Sequence, residues 1–255
     1  MAGIINKTIS EIYKDLFYID NSNNGFTTAL KPIRDGAGNT SALALSTRNL
    51  RIDPSADTTS TFLVRDTDGN ALLTVDSTND LVKAGINQQY ATTLYTTFNS
   101  KVINVDGSSH YAIARTQNPS AEVTMGTGTD PDTSYTISST ADDFVGCMWY
   151  CDTACVLDSV SVWVGANGSG NDTLRFHLCS FDIDNGNGST SGDLTSGSVI
   201  AYGSDISAIG YEQAYYQSLT ISSSSISAGK AVFLLLKSDS SNADYSVNCQ
   251  IKYHL

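Results

Sequence analysis

The strongest constraint on the fold is a turn-and-strand pattern that occurs twice. Residues 34–39 read Arg-Asp-Gly-Ala-Gly-Asn and residues 65–70 read Arg-Asp-Thr-Asp-Gly-Asn, and apolar residues at every second position follow both segments. Asp-Gly and Gly-Asn pairs suit the positive-φ positions of tight turns, and alternating apolar residues indicate half-buried strands. This region is therefore predicted to form consecutive antiparallel β-hairpins.

These hairpins are poor in large apolar side chains. Six aromatic residues lie between Phe26 and Met125, whereas fourteen follow Met125. Large side chains supply most of the free energy of burial, and isolated hairpins are only marginally stable in water. We therefore expect an oligomeric β-shaft in which copies of the chain bury the apolar strand faces against one another. The predicted interface residues are Leu43, Leu45, Leu73 and Val75.

Composition excludes several classes of partner. The chain has 255 residues, 40% of them hydrophobic, and a formal net charge of -12, which opposes binding to nucleic acid or to anionic lipid. It shows neither a signal-peptide pattern nor an apolar run of membrane-spanning length, so a soluble protein without membrane insertion is expected. The five cysteines are an odd number and are expected to be buried thiols, reduced in a cytoplasm, rather than a disulfide framework.

The N-terminus is predicted to be helical. Thr8 and Glu11 form a capping box, and apolar residues follow at helical spacing until about Asp20. Because a helix of about ten residues is not stable alone, its apolar face must dock on another surface. That surface is either another protein, which makes the helix an anchor, or the following strands, which makes it a lid. The candidate anchor residues are Ile9, Ile12, Tyr13, Leu16 and Phe17.

Two segments carry a resemblance to known proteins. Residues 71–86 (ALLTVDSTNDLVKAGI) resemble a segment recurrent in bacteriophage tail-fibre and head-fibre proteins, and residues 9–16 (ISEIYKDL) resemble the start of phage virion proteins of this type. The resemblance covers about residues 8–87. It implies a homotrimeric fibre or capsid-decoration subunit, assembled in the host cytoplasm, that binds a capsid or tail protein through its N-terminus and points its C-terminus outward.

A second domain is expected after the Gly- and Pro-containing segment from Gly126 to Asp132. Eight strand candidates separated by turn residues predict a jelly-roll-like β-sandwich. The chain is thus predicted to be all-β, with a helical anchor at 1–25, a shaft at 26–125 and a head at 126–255. The eight strand candidates are Ser134–Ser138, Phe144–Tyr150, Val156–Val164, Thr173–Phe181, Ser198–Tyr202, Tyr215–Ile221, Ala231–Lys237 and Asp244–Tyr253.

No sequence motif indicates catalysis. The three histidines are scattered, and no nucleophile, phosphate-binding or dinucleotide-binding motif is present, so neither enzymatic activity nor a cofactor is predicted. Asp182 and Asp184, ahead of Gly186, are the best candidate for cation binding. A calcium loop of the EF-hand type would need a later Glu that is absent, so a solvent-exposed loop is favoured and no metal is predicted.

Aromatic residues of the head are the best candidates for a binding site. The segment from Tyr211 to Tyr216 lies between the predicted strands Ser198–Tyr202 and Tyr215–Ile221 and overlaps the start of the second. Its tyrosines Tyr211, Tyr215 and Tyr216 are candidate contacts to host-surface glycans, while Trp149 and Trp163 are expected to pack in the core or between subunits. The predicted function is that of a structural virion protein that decorates the capsid or attaches to the host. The alternatives are a monomeric carbohydrate-binding adhesin module and a polysaccharide depolymerase.

Overall fold

The computed structural model describes residues 16–22, 24–85, 89–90, 93–102, 105–115, 122–137, 141–186, 188–240 and 243–255. Strands account for 56% of the chain and helix for 2%, which confirms the all-β class. The chain divides into two compact units, one through Ala91 and one from Thr92. In the part described, no helix combines the length and the apolar character needed to cross a membrane.

The N-terminal unit contains two four-stranded antiparallel sheets, each with its strands in sequence order. The first sheet consists of β1 (Phe17–Ile19), β2 (Lys31–Asp35), β3 (Thr40–Leu45) and β4 (Leu50–Ile52). The second consists of β5 (Phe62–Arg65), β6 (Ala71–Asp76), β7 (Leu81–Ala84) and β8 (Gln89–Tyr90).

The repeated turn motif forms the same turn in both sheets. The backbone N–H of Asn39 donates to Asp35 Oδ1 at 2.8 Å, and the Asn39 side-chain amide donates to Asp35 Oδ2 at 2.8 Å. Asn70 makes the same two bonds to Asp66, at 2.8 Å and 3.0 Å. The glycine before each asparagine has φ of +87°, a conformation that glycine adopts without strain. The predicted hairpins are therefore confirmed.

The N-terminal unit buries very little apolar surface. Among residues 16–22 and 24–85, Ala44 is the one hydrophobic residue that is fully buried. Phe17 is 76% exposed and Leu50 is 62% exposed. Leu43 is exposed, whereas the other three predicted interface residues, Leu45, Leu73 and Val75, are only partly buried.

The predicted N-terminal helix does not include Leu16 or Phe17. Phe17 is the first residue of β1, which pairs with β2 along its whole length, and Leu16 lies just before that strand without helical structure. Hydrogen bonds to β2 satisfy the β1 backbone, whereas a short helix would have to supply its own. Ile9, Ile12 and Tyr13 lie outside the described residues.

The C-terminal unit is organised around one very long strand. This strand, β12 (Cys155–Ile183), pairs through its first half with β18 and β14 and through its second half with β17 and β13. The other elements are β9 (Thr93–Val102), β10 (His110–Ala112), α1 (Ala141–Gly146), β11 (Trp149–Cys151), β13 (Leu194–Tyr202), β14 (Ile206–Ser218), β15 (Thr220–Ile221), β16 (Ser225–Ile226), β17 (Lys230–Ser238) and β18 (Asp244–His254).

Both halves of the long strand contribute to one core. Val160, Val162 and Val164 from the first half and Leu174 and Phe176 from the second half are buried in the same apolar cluster. Strand β17 is buried on both faces, because its alternate residues enter this cluster and a second cluster that includes the helix α1. Such continuous burial explains why residues 231–236 are uniformly apolar.

Several features of the C-terminal unit differ from the prediction. The segments Val156–Val164 and Thr173–Phe181 belong to a single strand. Residues 144–146, predicted as a strand, are the end of α1, which turns Phe144 into the second cluster. Strands β9 and β10, assigned to the shaft, belong to the sheet of the C-terminal unit, because β9 pairs with β18 and β10 pairs with β17.

Candidate functional site

One sheet face of the C-terminal unit combines polar side chains with an exposed aromatic pair. Strands β14, β12, β18 and β9 lie side by side, and residues paired directly across them project from the same face. We call this surface the outer face. In that strand order its three rows are Ser218, Ser161, Gln250 and Thr97; then Tyr216, Trp163, Asn248 and Asn99; then Ala214, Gly165, Ser246 and Lys101.

The aromatic pair occupies the middle row. Trp163 is 54% exposed and Tyr216 is 55% exposed, with their ring centroids 5.3 Å apart and the rings tilted by 51°. The Tyr216 hydroxyl lies 3.3 Å from Ser161 Oγ. Both rings stand on paired strands, so the pair is held in place before any ligand binds.

Strand alternation explains why Trp163 faces outward. Its neighbours in β12, Val162 and Val164, are buried, and a strand turns successive side chains to opposite faces. The expectation that Trp163 packs in the core of its own chain is therefore wrong. Trp149 is buried as expected and packs against Tyr253 with ring centroids 5.0 Å apart.

The three candidate tyrosines do not form one cluster. All three lie in β14 rather than between strands. Tyr216 faces outward beside Trp163, whereas Tyr215 is partly buried and packs against the core. The backbone of Tyr211 pairs with Asn167, and its side chain is not among those described. Trp163 was not among the candidate binding residues. Its position between two valines of an alternating strand was the sequence signal that it faces outward.

A hollow lies beside the aromatic pair. It has a volume of about 340 Å³ and is lined by eight residues that include the third row. Gly165 leaves it open because it has no side chain, and a Cβ added there would lie 3.9 Å from the nearest atom, an ordinary contact. The residues that define the hollow are Lys101, Gly165, Ala166, Asn167, Gln213, Ala214, Asp244 and Ser246.

An ion pair neutralises the single lysine of this hollow. Lys101 Nζ lies 2.9 Å from Asp244 Oδ2. The hollow therefore presents both hydrogen-bond donors and hydrogen-bond acceptors without a net positive charge. A ligand with neutral hydroxyl or amide groups fits this arrangement better than an anion does.

A second cavity of about 490 Å³ lies on the other half of the sheet. It is lined by Arg175, His177 and Tyr202, and the Arg175 guanidinium Nε lies 2.6 Å from Asp205 Oδ1. His177 is buried, and its ring centroid lies 5.3 Å from that of His110. Burial lowers the pKa of His177 to about 4, so this imidazole is neutral near pH 7.

The residues described offer no metal site. No group of three His, Cys, Asp or Glu side chains in the described part of the chain is placed to hold an ion. At the predicted loop, Asp182 pairs with Lys230 at 2.7 Å, and Asp184 Oδ1 accepts the backbone N–H of Gly186 at 2.9 Å. Both carboxylates are thus engaged within the protein.

Comparisons with known proteins give little information about the family or function of this chain. No protein family and no curated protein matches this chain. Among solved structures, the chain is similar to a CocE/NonD family hydrolase from Staphylococcus aureus, with 8% sequence identity and a TM-score of 0.34. The match covers 68% of this chain and 39% of the hydrolase chain. A TM-score this low establishes neither a shared fold nor a shared activity.

Proposed function

We propose that this protein is an oligomeric virion fibre subunit whose C-terminal unit binds neutral saccharides through the outer face. The observation that carries the binding proposal is the Trp163 and Tyr216 pair, in which each side chain is more than half exposed on a paired strand. The fibre proposal is supported by the small apolar core of the N-terminal unit and by the resemblance of residues 8–87 to phage fibre proteins.

The aromatic pair suits a sugar ring. One side of a pyranose presents C–H groups that pack against the electron-rich face of an aromatic ring, while its hydroxyls need donors and acceptors at the edge. Asn248 and Asn99 continue the row of Trp163 and supply both. Tyr and Trp have few rotatable bonds, and so they lose little conformational entropy on binding.

Charge favours neutral over acidic saccharides. The chain carries a net charge of -12, which repels polyanions at long range. At short range, Lys101 is compensated by Asp244. Neutral hexose or N-acetylhexosamine units are therefore the proposed ligands, rather than sialylated or uronic-acid polymers.

An oligomeric fibre makes weak sugar binding useful. A single exposed platform of this kind binds a monosaccharide weakly, because little surface is buried. Several heads on one stalk, and several stalks on one particle, raise the effective concentration of sites and strengthen attachment without any new contact. The proposed trimer therefore turns weak recognition into stable adhesion to the host surface.

The binding proposal is tested with the full chain on an array of neutral and acidic glycans. We expect binding to neutral glycans, and the Trp163→Ala and Tyr216→Ala variants should each bind at least about tenfold more weakly, as removal of a central aromatic contact does. Tyr202→Ala is the matched control, because this tyrosine is 45% exposed on the other half of the sheet.

Three outcomes would contradict the proposal. Unchanged binding by both aromatic variants would place the site elsewhere. Release of oligosaccharides from a bound polysaccharide would indicate a depolymerase, since the proposed function is binding without catalysis. Saccharide binding by a chain that remains monomeric would indicate an adhesin module rather than a fibre.

A further inference from the structure

Two buried cysteines lie close together where the chain passes from β11 into β12. Cys151 is the last residue of β11 and Cys155 is the first of β12, and their Sγ atoms are 3.5 Å apart. Both residues are buried, at 3% and 5% exposure. Of the other three cysteines, Cys147 and Cys179 are in the second apolar cluster, and Cys249 shares the first cluster with the pair but lies within β18.

We propose that Cys151 and Cys155 form an intramolecular disulfide when the folded protein meets a small disulfide oxidant such as oxidised glutathione. A disulfide has its sulfur atoms about 2.05 Å apart, so the two Sγ atoms must approach by about 1.5 Å. The three residues between the cysteines form a short link that permits such a movement. The Cys151 S–H donates to the Thr153 carbonyl at 3.0 Å, and this hydrogen bond is lost on oxidation.

The reaction proceeds in two balanced exchange steps. The Cys155 thiol loses its proton, and the thiolate attacks one sulfur of oxidised glutathione, which forms a mixed disulfide and releases one glutathione thiolate. The Cys151 thiolate then attacks the Cys155 sulfur of that mixed disulfide and releases the second glutathione. In total the two cysteines lose two protons and two electrons, and one oxidised glutathione becomes two reduced ones.

Cys155 is the sulfur that the oxidant reaches first. It lines a hollow of about 230 Å³ together with Val156, Ile226 and Leu255, whereas Cys151 does not line this hollow. Burial raises the pKa of Cys155 to about 12, so little thiolate is present near neutral pH. Oxidation should therefore be slow at pH 7 and should accelerate about tenfold for each pH unit up to pH 9, in proportion to the thiolate.

The bond would tie together two parts of the sheet. Strand β11 pairs with β17, whereas the start of β12 pairs with β16 and β18. A disulfide at this corner keeps those strands joined when the surroundings become oxidising, as they do when a particle leaves a reducing cytoplasm. That setting rests on the proposed function, but the chemistry of the two cysteines does not.

The test counts thiols in the intact folded chain. After incubation with oxidised glutathione at pH 8.5 and denaturation, we expect the five free thiols to fall to three, with a mass loss of about 2 Da and a peptide that links Cys151 to Cys155. A reductant should restore all five. Cys249→Ala is the control that keeps the pair, and its four thiols should fall to two.

The Cys151→Ala variant distinguishes the intramolecular disulfide from general oxidation of the thiols. It cannot form the intramolecular bond, and so Cys155 should instead retain one glutathione. Circular dichroism before and after oxidation checks that the chain stays folded. Five remaining thiols in the oxidised wild-type chain, or a disulfide that joins other cysteines, would overturn the proposal. Neither result would affect the saccharide proposal, which rests on different residues.

Discussion

At the scale of single residues, burial controls the charge of His177. Burial makes protonation of this side chain unfavourable, and the nearby His110, Arg175 and Lys237 add to that cost. The Asp130 carboxylate favours protonation, but its Oδ1 lies 3.8 Å from His177 Nε2. The folded protein therefore holds His177 neutral at a pH where an unfolded chain would already protonate it.

This difference predicts a loss of stability in acid. The pKa of His177 is lowered from 6.5 to about 4, so its stabilising effect is complete above pH 6.5 and is lost as the pH falls from 6.5 to 4. Between pH 7 and pH 5 the loss from this residue should be about 2 kcal/mol in the free energy of unfolding. Urea unfolding curves at the two pH values measure it.

The His177→Phe variant isolates this contribution, because other acidic groups also titrate in the same range. Its free energy of unfolding should change less between pH 7 and pH 5 than that of the wild-type protein. Equal changes in the two proteins would show that His177 is protonated to the same extent in the folded and unfolded chains.

At the scale of strands, the hollow on the outer face depends on a missing side chain. Gly165 lies in a regular part of β12 without a positive φ, and a Cβ at this position meets only ordinary contacts. The Gly165→Val variant should therefore fold normally, and it should gain from the higher strand propensity of valine. Its two methyl groups should fill the hollow and weaken saccharide binding at least about tenfold, as measured by titration with a glycan that binds the wild-type chain.

Ser218→Val is the matched control for that experiment. Ser218 is on the same outer face, in the row beyond the aromatic pair, so this change places the same valine side chain away from the hollow. Its binding should stay within about twofold of wild type. If both variants bind like the wild-type protein, the ligand does not use the hollow.

Strand patterns were predictable where one face is buried and the other exposed. The Asp-x-x-Gly-Asn turns specify their own hydrogen bonds, and so residues 35–39 and 66–70 fold as the local sequence indicates. In β12 the alternation of valine with polar residues indicated the buried face. The same period-2 rule places Tyr215 and Tyr216 on opposite faces of β14.

Other elements depend on contacts between distant residues and could not be read locally. Strand β9 pairs with β18 along its whole length, although the two are far apart in sequence. The short helix α1 forms where Phe144 and Cys147 reach a cluster made by other strands. Likewise, the outer face could not be predicted from the sequence, because strand pairing is what brings Asn99, Trp163 and Asn248 into one row.

At the scale of the whole molecule, the two units differ in how they are stabilised. The C-terminal unit contains two extensive apolar clusters, whereas the described part of the N-terminal unit buries Ala44 and leaves its larger apolar side chains partly or largely exposed. Burying a leucine contributes about 1.5–3 kcal/mol, and in a trimer each contact is made three times. The proposed oligomer would therefore supply the apolar burial that a single N-terminal unit lacks.

Replacing one of those leucines with a charged residue should break the oligomer. Leu43 is 41% exposed, so Leu43→Lys should change the stability of a single chain little. In the proposed trimer it places three like charges at the interface. The association should weaken at least about tenfold, as a fall in sedimentation-equilibrium mass at micromolar concentration. Thr67→Lys, in an exposed turn, adds the same charge and should leave the mass unchanged. A wild-type chain that sediments as a monomer would refute the shaft, and glycan attachment would then have to rely on single-site affinity.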